Sequence, residues 1–107
     1  MAHVDNAGRT EGDASGRGPL RGVRVIDLTT MFSGAHGASL LGDFGADVIK
    51  VELPGTGDPV RAMAPSKAGV SLTWAVLSRN KRSVTLDIRK PDGRELLLRL
   101  LAASDIL

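Results

Sequence analysis

Residues Gly22–Glu52 read GVRVIDLTTMFSGAHGASLLGDFGADVIKVE, and this stretch decides the fold. Its opening, Gly22 to Leu28, fills with Val, Ile and Leu, as a buried strand does. The segment TTMFSGAHG is then a Ser/Thr/Gly-rich turn leading into a helix. There Gly37, Leu40, Leu41 and Phe44 recur at i, i+3, i+4 and i+7 and predict one apolar helical face. Gly45 predicts the stop, because the residue just past a helix commonly needs a left-handed backbone. Ala46 to Glu52, ADVIKVE, is the second strand. A strand, a glycine turn, a helix and another strand in so short a span form a βαβ unit with a right-handed crossover.

Downstream, LPGTGDP (Leu53–Pro59) suits neither helix nor strand, and residues 60–70 are expected to stay irregular. The segment VSLTWAVLS (Val70–Ser78) is ambiguous between strand and short buried helix, and helix is the preferred reading. Arg82–Ile88, RSVTLDI, is the third strand. Pro91 suits the first position of a last helix, with Asp92 and Glu95 favouring its dipole. Leu96, Leu97, Leu98, Leu100 and Leu101 predict burial of that helix on more than one face. ASDIL (Ala103–Leu107) has the look of a fourth strand beginning. The fold class expected is therefore α/β, a Rossmann-like parallel sheet of βαβ units, cut after the start of a fourth strand. Residues 1–18 are too Gly-rich and polar to bury apolar area and are expected to form a flexible tail, leaving 19–107 as the folded segment.

The chain of 107 residues is long enough for one small α/β unit, and 42% hydrophobic residues place it among globular proteins rather than disordered ones. Cysteine is absent, which excludes disulfides, thiolate metal sites and a Cys nucleophile, and fits a cytoplasmic setting. The longest uncharged run, Leu28–Gly42, carries Ser, Thr, His and Gly and falls short of the ~18 apolar residues of a membrane span. Net charge is only +2, but seven of the fourteen Lys/Arg fall in residues 79–107. A local positive field of this kind suits a phosphate-bearing ligand, against the plainer reading of a solvated basic surface. SRNKRS lacks interleaved aromatics, so nucleic-acid binding is not expected.

Dinucleotide binding needs G-x-G-x-x-G at the first strand-to-helix turn. Gly34 and Gly37 supply two of the glycines and the first is missing, while Glu52 stands where a ribose-binding acid would. Tight packing of the turn explains the same residues. His36 has no triad or metal-ligand spacing around it, and Asp27, Asp43, Asp47 and Asp87 read as caps or ion-pair partners.

Taken in order, GADVIKVE (Gly45–Glu52), PGTGD (Pro54–Asp58) with Arg61, NKRSVTLD (Asn80–Asp87) and PDGRE (Pro91–Glu95) resemble the N-terminal part of the class III CoA-transferases, the CaiB/BaiF family, from Pro19 to Leu107. The resemblance implies an acyl-CoA:carboxylate CoA-transferase, with coenzyme A or acyl-CoA as substrate rather than a bound cofactor, and an interlocked homodimer. It implies covalent catalysis through an aspartyl-CoA intermediate whose Asp lies beyond Leu107, so no catalytic residue is assigned here. For CoA binding it implies Phe32 and Ser33 near the thioester end, Leu86 beside adenine and Arg89 near the phosphates. Phe32 departs from the small or amide residues common there. Leu53 replaces an Arg that contacts the nucleotide end, and Lys90 replaces a Ser/Thr helix cap. An α-methylacyl-CoA racemase sharing this domain, and a non-catalytic CoA-binding segment, are the alternatives.

Overall fold

The computed structural model describes residues 17–107, so most of the expected tail lies outside the described residues. A parallel sheet forms from β1 (Arg24–Asp27), β2 (Asp47–Glu52) and β5 (Lys81–Thr85) in the order β1-β2-β5. Val25 stands opposite Val48 and Ile26 opposite Ile49, and Val51 stands opposite Val84. On the free side of β1, Ile106 forms a parallel bridge with Val25, and its carbonyl accepts from the Ile26 N–H at 2.9 Å. The last segment thus joins the sheet beside β1. This is the 3-2-1-4 order of a doubly wound fold, whose ligand crevice lies at the carboxyl ends of the strands.

Side-chain alternation divides the sheet into two faces. Val25 and Val48 pack under α1 (Ser33–Asp43) with Ala38 and Ala46. Ile26, Ile49 and Val51 pack under α3 (Pro91–Ala102) with Leu97. The expected face of α1 is corrected. Ala35, Ala38 and Ser39 are buried, whereas Leu40 and Phe44 are exposed and Leu41 is half-buried. Small side chains bring the helix close to its neighbours, and Ser39 Oγ donates to the Leu77 carbonyl of α2 (Leu72–Leu77) at 2.6 Å. Gly45 ends α1 with φ +99°, as expected.

α3 also differs from expectation. Gly93 and Leu97 are buried, while Leu96 and Leu98 are exposed. The sheet covers one side of the helix and no described residue covers the other. Gly93 sits so close to the loop before α3 that a Cβ there would lie 2.0 Å from the Asp87 carbonyl oxygen. Residues 60–70 are more regular than predicted. Asp58 caps a 3₁₀ turn, Pro59–Ala62, by accepting from the Val60 N–H, and β3 (Ser66–Lys67) pairs with β4 (Val70–Ser71). Ala68 and Gly69 both have positive φ (50° and 80°), the backbone of a two-residue hairpin turn. The third strand is shorter than read: pairing ends at Thr85 with a last bond from the Leu86 N–H to the Glu52 carbonyl, and Leu86 and Ile88 pack toward Leu97 of α3.

Candidate functional site

A cavity of about 440 Å³ opens at the carboxyl ends of the three strands. Leu28, Thr29 and Thr30 enter it from the end of β1; Val51 to Leu53 and Thr56 to Pro59 from the end of β2; and Leu86, Ile88 and Arg89 from the end of β5. Its size falls in the range of small-molecule sites, and Leu, Val and Ile side chains dominate the lining. Of the four residues assigned to CoA binding, Leu86 and Arg89 are brought together here. Phe32 and Ser33 do not line the cavity. Phe32 is the N-cap of α1, makes no side-chain cap bond and is half exposed.

Four of the seven cations counted at the positive end are paired in three dimensions. Arg79 binds Asp43, Arg82 binds Asp47, and Arg89 lies bidentate on Asp87, with Nε to Oδ1 at 2.8 Å and Nη2 to Oδ2 at 3.0 Å. The Lys81 side chain is buried, and its Nζ donates to Asp27 Oδ2 at 2.8 Å and the Ala35 carbonyl at 2.7 Å. Lys50, only 2% exposed, donates to the Thr29 carbonyl at 2.7 Å and pairs with Asp58 at 2.9 Å. These two lysines tie both ends of the β1–α1 turn to the sheet. Burial pushes the Asp27 carboxyl up, but hydrogen bonds from Lys81 and Thr29 outweigh it and leave Asp27 below its ordinary value.

Glu52 is not a ribose-binding acid in this structure. Its Oε2 accepts from Arg61 Nε at 2.7 Å and the Asp58 N–H at 2.8 Å; its Oε1 accepts from Arg61 Nη2 at 2.8 Å and Ser83 Oγ at 2.7 Å. All its strong acceptor directions are occupied, and Arg61 above all holds its pKa down to about 2. Arg61 in turn lies over the Trp74 ring, 3.9 Å from the centroid, a cation–π contact. His36 is exposed on α1. The expectation that Asp27, Asp43, Asp47 and Asp87 serve as ion-pair partners matches the structure.

Sequence reasoning missed the buried lysines and most of the cavity wall. The signal for the wall was available: residues just past the ends of parallel strands line such crevices. The lysines carried no such signal, since an isolated Lys in a strand usually faces solvent. Among the described residues no cluster of His, Cys, Asp and Glu could hold a metal, and no helix is long and apolar enough to cross a membrane.

Comparison with known proteins points the same way. The chain is 50% identical over 90 residues to the succinyl-CoA–L-malate CoA-transferase beta subunit of Chloroflexus aurantiacus, covering 83% of this chain and 22% of that one. It is 48% identical over 89 residues to the formyl-CoA:oxalate CoA-transferase of Rhodopseudomonas palustris, covering 82% of this chain and 21% of that one. Among solved structures, a CaiB/BaiF family protein from Brucella suis superposes with a TM-score of 0.75 at 39% identity, over 83% of this chain and 25% of that one. The chain therefore spans less than a quarter of the length of the curated relatives described here. The sequence profile of CoA-transferase family III matches residues 20–107, the whole of the sheet, both flanking helices and the cavity at the strand ends: the chain belongs to CoA-transferase family III.

Proposed function

We propose that this chain supplies the nucleotide-binding part of an enzyme that moves CoA between an acyl-CoA thioester and a carboxylic acid. The observation that carries the reading is the apolar cavity at the strand ends, with Leu86 and Arg89 in its wall. The adenine of CoA packs against Leu86, with Leu28, Val51 and Ile88 around it. Arg89 sits at the rim on the phosphate side. The pantetheine arm runs toward the β1–α1 turn, where Phe32 and Ser33 meet the thioester end. The named relatives act on succinyl-CoA or formyl-CoA with malate or oxalate, which supports an acyl-CoA donor and a carboxylate acceptor.

In this reading the covalent step belongs to an aspartate beyond Leu107. Its carboxylate attacks the thioester carbonyl and expels CoA thiolate, giving a mixed anhydride. The thiolate then attacks the aspartyl carbonyl, releasing the donor acid and leaving CoA on the enzyme as a thioester. Five of the described aspartates, Asp27, Asp43, Asp47, Asp58 and Asp87, are poor candidates for that task, because each is engaged in an ion pair. The assembled enzyme in this proposal is a cytoplasmic homodimer.

The test is a titration of CoA into the isotopically labelled chain, followed by amide chemical shifts. Shifts confined to Leu28, Leu53, Leu86, Ile88 and Arg89 and their neighbours are expected. Saturating CoA with no change at these amides overturns the reading.

A further inference from the structure

We propose that Asp87 sets the nucleotide specificity of the cavity by masking its one lining cation, so that the site takes the adenosine of CoA without reading its 3′-phosphate. The inference rests on the CoA reading above and deepens it.

Three charged side chains line the cavity: Glu52, Asp58 and Arg89. Glu52 is closed on Arg61, and Asp58 on Lys50 at 2.9 Å. Among the described residues Arg89 is the only lining cation, and two of its guanidinium nitrogens are bound to the two Asp87 oxygens at 2.8 and 3.0 Å. Each lining charge therefore faces the cavity as half of a neutral pair. A phosphate drawn to Arg89 is also repelled by the Asp87 carboxylate bound to the same guanidinium, and the two Coulomb contributions oppose each other. The mask is built into the local chain, because Asp87 Oδ1 also accepts from the Arg89 backbone N–H at 3.2 Å. What remains for recognition is the apolar wall of Leu28, Val51, Leu86 and Ile88, which suits a purine ring. The phosphates of the ligand then stay in solvent. The pairing revises the role that the family resemblance implies for Arg89.

The experiment compares CoA with dephospho-CoA, which lacks only the 3′-phosphate, on the full chain. Affinity is read by calorimetry and site occupancy by the cavity amides, at low and high salt. In the unaltered protein the two affinities are expected to agree within about threefold, with a ratio that salt does not change. Asp87→Asn keeps the oxygen that accepts from the Arg89 N–H and removes the charge. It is expected to raise the preference for CoA over dephospho-CoA by about fivefold at low salt. A preference for CoA of about tenfold or more in the unaltered protein overturns the inference and leaves the CoA reading standing. An unchanged ratio in a folded Asp87→Asn variant also overturns it. Failure of both compounds to move the cavity amides overturns the CoA reading and this inference together. If the variant does not fold, the comparison in the unaltered protein decides alone.

Discussion

Replacing Lys81 with Met removes one ammonium from a closed group of four buried charges. Asp27 and Asp58 face Lys50 and Lys81, and their side chains are at most 3% exposed. The group is neutral as built and carries −1 in the variant. Asp27 loses its 2.8 Å partner and keeps two hydrogen bonds from Thr29, plus Lys50 at 3.8 Å. Stranding one member of a buried pair costs about 3–5 kcal/mol, and the surviving contacts place this case near 3 kcal/mol. The released Ala35 carbonyl, no longer bonded by Lys81, adds to the cost in the same direction. For a chain of this size about 3 kcal/mol lowers the melting temperature by roughly 12–24 °C. Thermal unfolding followed by circular dichroism measures this. Lys81→Met combined with Asp27→Asn restores neutrality, and it is expected to recover at least half of the loss, since removing a whole buried pair is often close to neutral. A single variant within about 1 kcal/mol of the parent, or a double variant no more stable than the single one, refutes the account of this group as a mutually dependent unit.

Three further outcomes follow from the same structure. Glu52 has its pKa depressed to about 2, so the stability it contributes is complete above the ordinary glutamate range and drains away as pH falls toward 2. Glu52→Gln should flatten the acid limb of melting temperature against pH below about 4.5, leaving the share due to Asp27, Asp43, Asp47 and Asp87, and an unchanged slope contradicts the assignment. Gly93→Ala should destabilise by about 1–3 kcal/mol despite Ala's better helix propensity, because its Cβ would meet the Asp87 carbonyl at 2.0 Å. Gly37→Ala on α1, with nothing within 4 Å of the added Cβ, should instead be neutral or gain up to about 1 kcal/mol; urea unfolding of the two variants must give opposite signs. Lys90 caps α3 without a side-chain bond, so Lys90→Ser should stabilise by about 1 kcal/mol, and a lower urea midpoint would count against the cap geometry.

The strands were legible in the sequence because their β-branched runs are contiguous and bounded by glycine and proline. Pro91 announced α3 for an equally local reason, and it occupies the first turn as expected. The face of α1 was not legible, since hydropathy weights Leu40 and Phe44 above Ala35 and Ala38, whereas close helix approach selects the smaller side chains. The family resemblance singled out Leu86 and Arg89, and the structure sets both in the wall of one cavity. The pairing of Arg89 with Asp87, two residues away, could not be chosen over solvation from the sequence, because loop side chains at that spacing face either way.

The division of labour at the strand ends follows from alternation along β2. Lys50 points to the α1 face, where Asp27 and Asp58 receive it, and Val51 points to the α3 face, where Leu86 and Leu97 gather. A one-residue change of register would send the ammonium into the apolar face and strand two carboxylates on the other. The buried charges therefore specify the register that also builds the ligand wall. On the CoA reading proposed above, this explains how a site for an anionic ligand can be lined by neutral pairs. Its cations near the sheet are committed to holding the strands and the β1–α1 turn in place, and on that reading affinity for the nucleotide comes from the shape of the apolar wall. A CoA affinity that collapsed with added salt while the cavity amides still shifted would show that this allocation is wrong, because apolar burial strengthens or holds as salt rises and phosphate pairing weakens.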